Sequence, residues 1–177
     1  MIDVSGLPQR VMLDSSVLTI TRKDCDHEEA PTCRDLYEQL LKAGKIILLP
    51  TPAIAEYMST PPHEPPPRQR GVEVIPFDDQ AAAILGKRLP KRVFMKRKEP
   101  GATGAIVKYD TMVVACALRG LAGALISRDR GQLNLAKEVD LGAYRPTEIQ
   151  PTQGDLFTLR HKATIPPIPP PADESGR

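Results

Sequence analysis

The chain has 177 residues, 24 Lys+Arg against 22 Asp+Glu for a net charge of +2, and 41% hydrophobic residues. That length suits one domain, and the apolar share supports a core, which excludes wholesale disorder. So small a net charge neither demands nor forbids a nucleic-acid partner, so the distribution of charge has to decide. In chain order, Arg10–Leu13 reads as a short strand closing at Asp14. Thr32–Ala43 puts Leu36, Leu40 and Leu41 on one helical face and stops at Gly44, a good terminator. Lys45–Leu49 (KIILL) is a continuous apolar strand ended by Pro50, and Pro52–Met58 is a short helix with Pro in its first turn. Ser59–Arg70 holds five prolines between Pro61 and Pro67, which excludes helix or central strand and predicts an exposed loop. Val72–Pro76 alternates as a strand, and Asp78 or Asp79 caps the Ala-rich helix Gln80–Leu89. Thr103–Leu121 is a long helix, apolar through its middle and ended by Gly123; Ala124–Ser127 (ALIS) is a buried strand. Ala163–Arg177 is proline-rich and reads as an extended tail.

Strands separated by helices imply βαβ units, hence an α/β fold with a mostly parallel sheet. The expected organisation is one domain over 1–160, with the proline-rich loop at 59–70, followed by a disordered tail at 161–177. The longest apolar run, Met112–Leu118, falls far short of the roughly 18–20 residues that span a bilayer. No charged start followed by an apolar stretch suggests a signal peptide, and no membrane partner is expected. Three Cys are too few for a disulfide scaffold and fit a reducing compartment, so a cytoplasmic location is expected.

The acids carry the functional signal. Asp14 closes the first strand, and Asp129 follows the buried strand ALIS. Ligands of open parallel sheets bind at the carboxyl ends of the strands. Glu56 lies in an otherwise apolar helix turn (AIAEYM), and Asp110 lies in the first half of the long apolar helix. A charge beside so much core-forming surface is costly unless it is paired, hydrated at a cleft or bound to a metal. Four acids meeting in one crevice repel one another, and a divalent cation relieves that repulsion. An all-oxygen set suits Mg²⁺ or Mn²⁺, and the matching substrate is a phosphodiester. Each acid also has an ordinary reading: Asp14 as a helix N-cap, Asp129 as a turn residue, Glu56 as an exposed helix residue, Asp110 as an ion-pair partner of Lys108 or Arg119.

The segments VMLDSSVL, PAIAEYM, VEVIPFDDQAAAILGKRL and KYDTMVVACALRGLAGALISRD together resemble the PIN-domain family, the VapC-like metal-dependent ribonucleases, over Val11–Ala143. The resemblance implies a three-layer α/β/α sandwich. It implies that Asp14, Glu56, Asp110 and Asp129 are the catalytic acids and hold Mg²⁺ or Mn²⁺ for cleavage of RNA. Ser127, two residues before Asp129, matches the family's small hydroxyl, and Ser15 or Ser16 follows the first Asp; Ser15 and Ser127 are expected to support the acids. The resemblance further implies the toxin of a toxin–antitoxin pair, with an antitoxin protein and a second copy of the chain as partners. Two proline-rich segments are additions to that pattern.

Lys87–Lys98 (KRLPKRVFMKRK) concentrates seven basic residues, among them Lys91, Arg92, Lys96, Arg97 and Lys98. Lys/Arg clusters of this kind bind phosphate backbones, and beside an acidic metal site they favour RNA as the substrate. Cys25, His27 and Cys33 follow a C-x-H-x₅-C spacing that lacks a fourth zinc ligand. Cys116, mid-helix among apolar residues, reads as core packing. Asp14-Ser15-Ser16 lacks the second acid of the D-x-D that aspartyl-phosphate enzymes need. The alternative to a nuclease is a non-catalytic module of the same fold that binds protein or nucleic acid.

Overall fold

The computed structural model describes residues 2–89 and 104–150, the first five of the latter by backbone only. Its strands are β1 (Ile2–Asp3), β2 (Arg10–Leu13), β3 (Ile46–Pro50), β4 (Val72–Ile75), β5 (Ala124–Ile126), β6 (Gly142–Tyr144) and β7 (Ile149–Gln150). Its α-helices are α1 (Ser15–Leu18), α2 (Ala30–Lys42), α3 (Thr51–Ser59), α4 (Asp79–Arg88), α5 (Gly104–Arg119) and α6 (Arg130–Glu138). Strands β2 to β6 form a parallel sheet in the order β4-β3-β2-β5-β6, and β1 pairs with β7 beside it.

Strand alternation sorts the core into two layers. Val11, Leu13, Ile47, Leu49 and Ile126 point to one face, where they meet Val17 and Leu18 of α1, and Cys33, Leu36 and Leu40 of α2. Met12, Leu48 and Leu125 point to the other, against Ala81 of α4, Val113–Ala117 of α5, and Leu135 and Ala136 of α6. Both faces of β2, β3 and β5 are therefore covered, which is why those strands read as unbroken apolar runs. The result is the expected α/β/α sandwich.

Most elements lie within two residues of their expected limits. Helix α2 starts at Ala30 with Pro31 in its first turn, two residues before the expected Thr32. It ends as expected at Gly44: φ there is +69°, the Gly44 N–H reaches the Leu41 carbonyl, and the Lys45 N–H reaches that of Leu40. Those two bonds satisfy carbonyls the helix leaves open. Helix α5 departs from expectation. It ends at Arg119, and Leu121, not Gly123, takes the left-handed position at φ +53°. Gly123 instead permits a close approach of two segments, since a Cβ there would sit 2.4 Å from the Pro8 Cβ. Helix α6, strand β6 and the β1–β7 pair were not expected. Thr60–Arg70, after α3, carries no helix or strand, and 151–177 lies outside the described residues.

Candidate functional site

The sheet sets up the site through its connectivity. The chain runs from β2 outward to β3 and β4, then crosses to the other side of β2 for β5 and β6. The β2/β5 boundary is therefore the point where strand order reverses, and the crevice outside it is where such sheets bind ligands. Val11, Met12 and Leu13 pair with Ala124, Leu125 and Ile126. Asp14 and Ser127 are the next residues on each strand, and the Asp14 N–H continues the ladder to the Ile126 carbonyl at 3.1 Å.

Asp14 is 5% exposed. Its Oδ2 accepts the Ser16 hydroxyl at 2.7 Å, the Ser127 hydroxyl at 2.9 Å and the Ser16 N–H at 3.3 Å. Its Oδ1 receives only a long contact, from the Ser15 hydroxyl at 3.3 Å. The carboxylate caps α1, as its ordinary reading anticipated, yet its partners among the described residues are neutral hydroxyls and an amide. Among the described residues no cation lies against this buried carboxylate, which is a costly arrangement for a charge, and its Oδ1 receives only the long Ser15 contact.

The turn after β5 is tied into the same arrangement. The Asp129 N–H donates to the Ser127 Oγ at 3.0 Å, and the Arg128 N–H donates to the Ser16 Oγ at 3.0 Å. Two hydroxyls thus relay two backbone amides onto one oxygen of Asp14. The Asp129 carboxylate accepts the Gln132 N–H at 2.8 Å and caps α6. Beyond the turn, the Arg128 guanidinium donates from Nε to Glu29 and contacts His27 Nε2 at 2.7 Å. The Arg128 hydrogen bond holds the Glu29 carboxyl below the usual range, against the opposing effect of burial.

The expected site residues are gathered unevenly. Asp14, Ser15, Ser127 and the Asp129 backbone form one network. Asp110 is half-buried on α5. That helix ends near Gly120, whose carbonyl takes the Arg10 Nε–H at the start of β2. Asp110 lies nine residues earlier than Arg119, about 14 Å along the axis toward the carboxyl ends of the strands. Its expected partner Arg119 instead binds Asp78, at 2.8 and 2.5 Å. Glu56 lies on the exposed side of α3, whose Tyr57 turns into the core. Among the described residues, no group of three or more His, Cys, Asp or Glu side chains is placed to hold a metal ion. Cys116 is fully buried as expected, and burial pushes its thiol up to about 12. Lys91, Arg92, Lys96, Arg97 and Lys98 lie outside the described residues.

Hard oxygens fit Mg²⁺ or Mn²⁺ chemically. Mg²⁺ in phosphoryl-transfer sites commonly takes one or two carboxylates and completes its shell with water and substrate phosphates. Asp14 directly follows β2, and Asp129 lies three residues past the neighbouring β5, so the two acids leave the same edge of the sheet. Sequence reasoning gave Ser15 the supporting role, but Ser16 makes the shorter bond to Asp14. An N-cap Asp accepts from residues two or three positions on, which pointed to Ser16. Arg128 and Glu29 carried no local signal, because they are 99 residues apart.

No family model matches the chain, and no curated protein matches it. Among solved structures it is similar to a chain of VapBC2 from Rickettsia felis, a complex solved bound to a DNA fragment from its promoter. The identity is 14% and the TM-score 0.52, over 77% of this chain and 98% of that one. At that identity the likeness is one of fold.

Proposed function

We propose that this chain is a metal-dependent endoribonuclease, and that it acts as the toxin of a toxin–antitoxin pair. One observation carries the reading: Asp14, a buried carboxylate with no cationic partner among the described residues, stands at the switch point of the sheet, tied through Ser127 to the turn that carries Asp129. Asp14 and Asp129 would hold Mg²⁺ or Mn²⁺, with Asp110 approaching from α5 and Glu56 from α3. When bound, such an ion acidifies a water and stabilises charge on a phosphoryl oxygen. Hydrolysis would add water across a P–O bond of the RNA, leaving a phosphate monoester and a free hydroxyl. Ser16 and Ser127 keep Oδ2 of Asp14 engaged, which leaves Oδ1, touched among the described residues by the Ser15 hydroxyl, as the oxygen to meet an ion. Lys91, Arg92, Lys96, Arg97 and Lys98 would hold the strand. The likeness to a VapBC2 chain supports an antitoxin partner, and three free cysteines suit the cytoplasm.

The test is cleavage of single-stranded RNA with Mg²⁺ or Mn²⁺, and with chelator, by the full chain and by Asp14→Asn and Asp110→Asn. The expected result is metal-dependent cleavage that both substitutions abolish without unfolding the protein. Mg²⁺-dependent cleavage by both variants rejects the mechanism.

The exposed position of Glu56 favours a second reading, a non-catalytic module of this fold that binds protein or nucleic acid. Absence of divalent-ion binding at millimolar concentration would decide for it.

A further inference from the structure

The carboxyl edge of the sheet is not uniformly acidic. Ile126 pairs with Tyr144, so Arg145 follows β6 beside Ser127, and the Ser127 N–H reaches the Tyr144 carbonyl at 3.1 Å. Crossing from β2 to β6, the edge therefore carries Asp14, then Ser127-Arg128-Asp129, then Arg145. Two arginines thus follow neighbouring strands on one flank of Asp14, and both act electrostatically on Glu29. The Glu29 carboxylate, just before α2, takes the Arg128 Nε–H, which together with the charge of Arg145 favours its ionised form, and the Glu148 carboxylate takes the Arg145 N–H.

We propose that Arg128 and Arg145 form a phosphate-binding subsite beside the acid pair, and that the Glu29 carboxylate occupies it in the free protein. The subsite takes a backbone phosphate flanking the scissile bond, so the proposal rests on the nuclease reading. Carboxylate and phosphate present similar oxygen pairs to a guanidinium, so one replaces the other on the same donors. The Arg128 and Glu29 side chains are 24% and 21% exposed, so solvent and a ligand reach both. His27 does little to hold Arg128 back. Both of its ring nitrogens face donors, Arg128 on Nε2 and the Glu29 N–H on Nδ1 at 3.0 Å. A neutral imidazole has one acceptor nitrogen, so one of these contacts lacks its hydrogen bond. Release of Arg128 from Glu29 therefore breaks one ion pair and little else, while the Arg128 backbone stays fixed on Ser16.

A subsite filled by an internal carboxylate makes an unusual demand: removing the occupant should strengthen binding. The probe is a short fluorescein-labelled single-stranded RNA, titrated with the full chain in chelator so that nothing is cleaved, and read by anisotropy. Glu29→Gln is expected to bind about threefold to tenfold more tightly than the native chain. Its dependence of log affinity on log salt should steepen by about 0.7, the increment for one more single-strand phosphate contact. Arg128→Gln should weaken binding, and the Glu29→Gln/Arg128→Gln pair should bind no better than Arg128→Gln alone. Unchanged or weaker binding by a folded Glu29→Gln variant overturns the proposal, as does failure of every variant to bind. Should Glu29→Gln not fold, native affinity and native salt slope in both Arg128→Gln and Arg145→Gln overturn it equally. A Glu29→Gln gain in a chain that never cleaves RNA with Mg²⁺ upholds the subsite and removes the nuclease reading.

Discussion

The Asp129 carboxylate caps α6 through the Gln132 N–H, so its substitution has two consequences that can be separated. Asn caps a helix as well as Asp, whereas Ala gives up about 1 kcal/mol. Asp129→Asn should therefore keep the native melting temperature and weaken Mn²⁺ binding, while Asp129→Ala loses both; calorimetric melting beside metal titration reads the two effects. Equal metal affinity in native protein and Asp129→Asn would restrict this residue to its cap. Ser127 is fully buried with its hydroxyl shared between Asp14 and the Asp129 N–H. Removing it in Ser127→Ala leaves both groups short of a partner and should cost about 1–3 kcal/mol in urea unfolding. The chemistry-bearing residue types were legible in the sequence because Asp14 and Asp129 end apolar runs. Their shared serine was legible only by position, and the Arg128–Glu29 contact was not legible, since its partners meet through the fold.

Helix α5 ends on a strained residue. Leu121 adopts φ +53° and is 79% exposed, so its side chain gains little from burial in return. Leu121→Gly relieves the left-handed strain and adds some freedom to the unfolded chain; the net gain should be about 0.5–1 kcal/mol. A lower denaturation midpoint for this variant would contradict the assignment. The same helix end explains a difference from the sequence reading. Gly123 looked like a terminator, but a terminating residue needs only to tolerate positive φ, and Leu121 does so at a cost. Strands β2, β3 and β5 were legible because burial on both faces removes polar residues from them. Helix α6 was not, because it is short, opens with Arg130-Gly131, and buries only Gln132, Leu133, Leu135 and Ala136. Strand β6, three half-buried residues at the sheet edge, takes its structure from pairing with β5 rather than from its composition.

At the scale of the whole molecule, two apolar layers sandwich the sheet, and carboxylate–arginine pairs link elements distant in sequence. Leu48 and Leu125 are fully buried on the same face, so either substituted by Ala should cost about 2–5 kcal/mol in denaturant unfolding. Arg119 holds the Asp78 carboxyl below its usual value, and Arg128 does the same for Glu29. A carboxyl lowered in the folded state contributes stability above its unfolded value and loses it as pH falls through the lowered one. Melting temperature should therefore fall on acidification below the ordinary carboxylate range, and Arg119→Gln should flatten that fall. The α/β class and the parallel sheet were legible from the alternation of strand and helix patterns, and the three layers only from the family resemblance. The reversal of strand order at β2 was not, because crossing over to β5 is decided by long-range packing. That reversal is what sets Asp14 beside the Ser127–Asp129 turn, and the proposed chemistry depends on it. The most direct test is calorimetric titration of Mn²⁺ into the native chain and into Asp14→Asn, both verified as folded. A saturable Mn²⁺ site in the native protein, lost in Asp14→Asn, is the expected result; equal binding by both, or none by either, would contradict a metal centre at this edge.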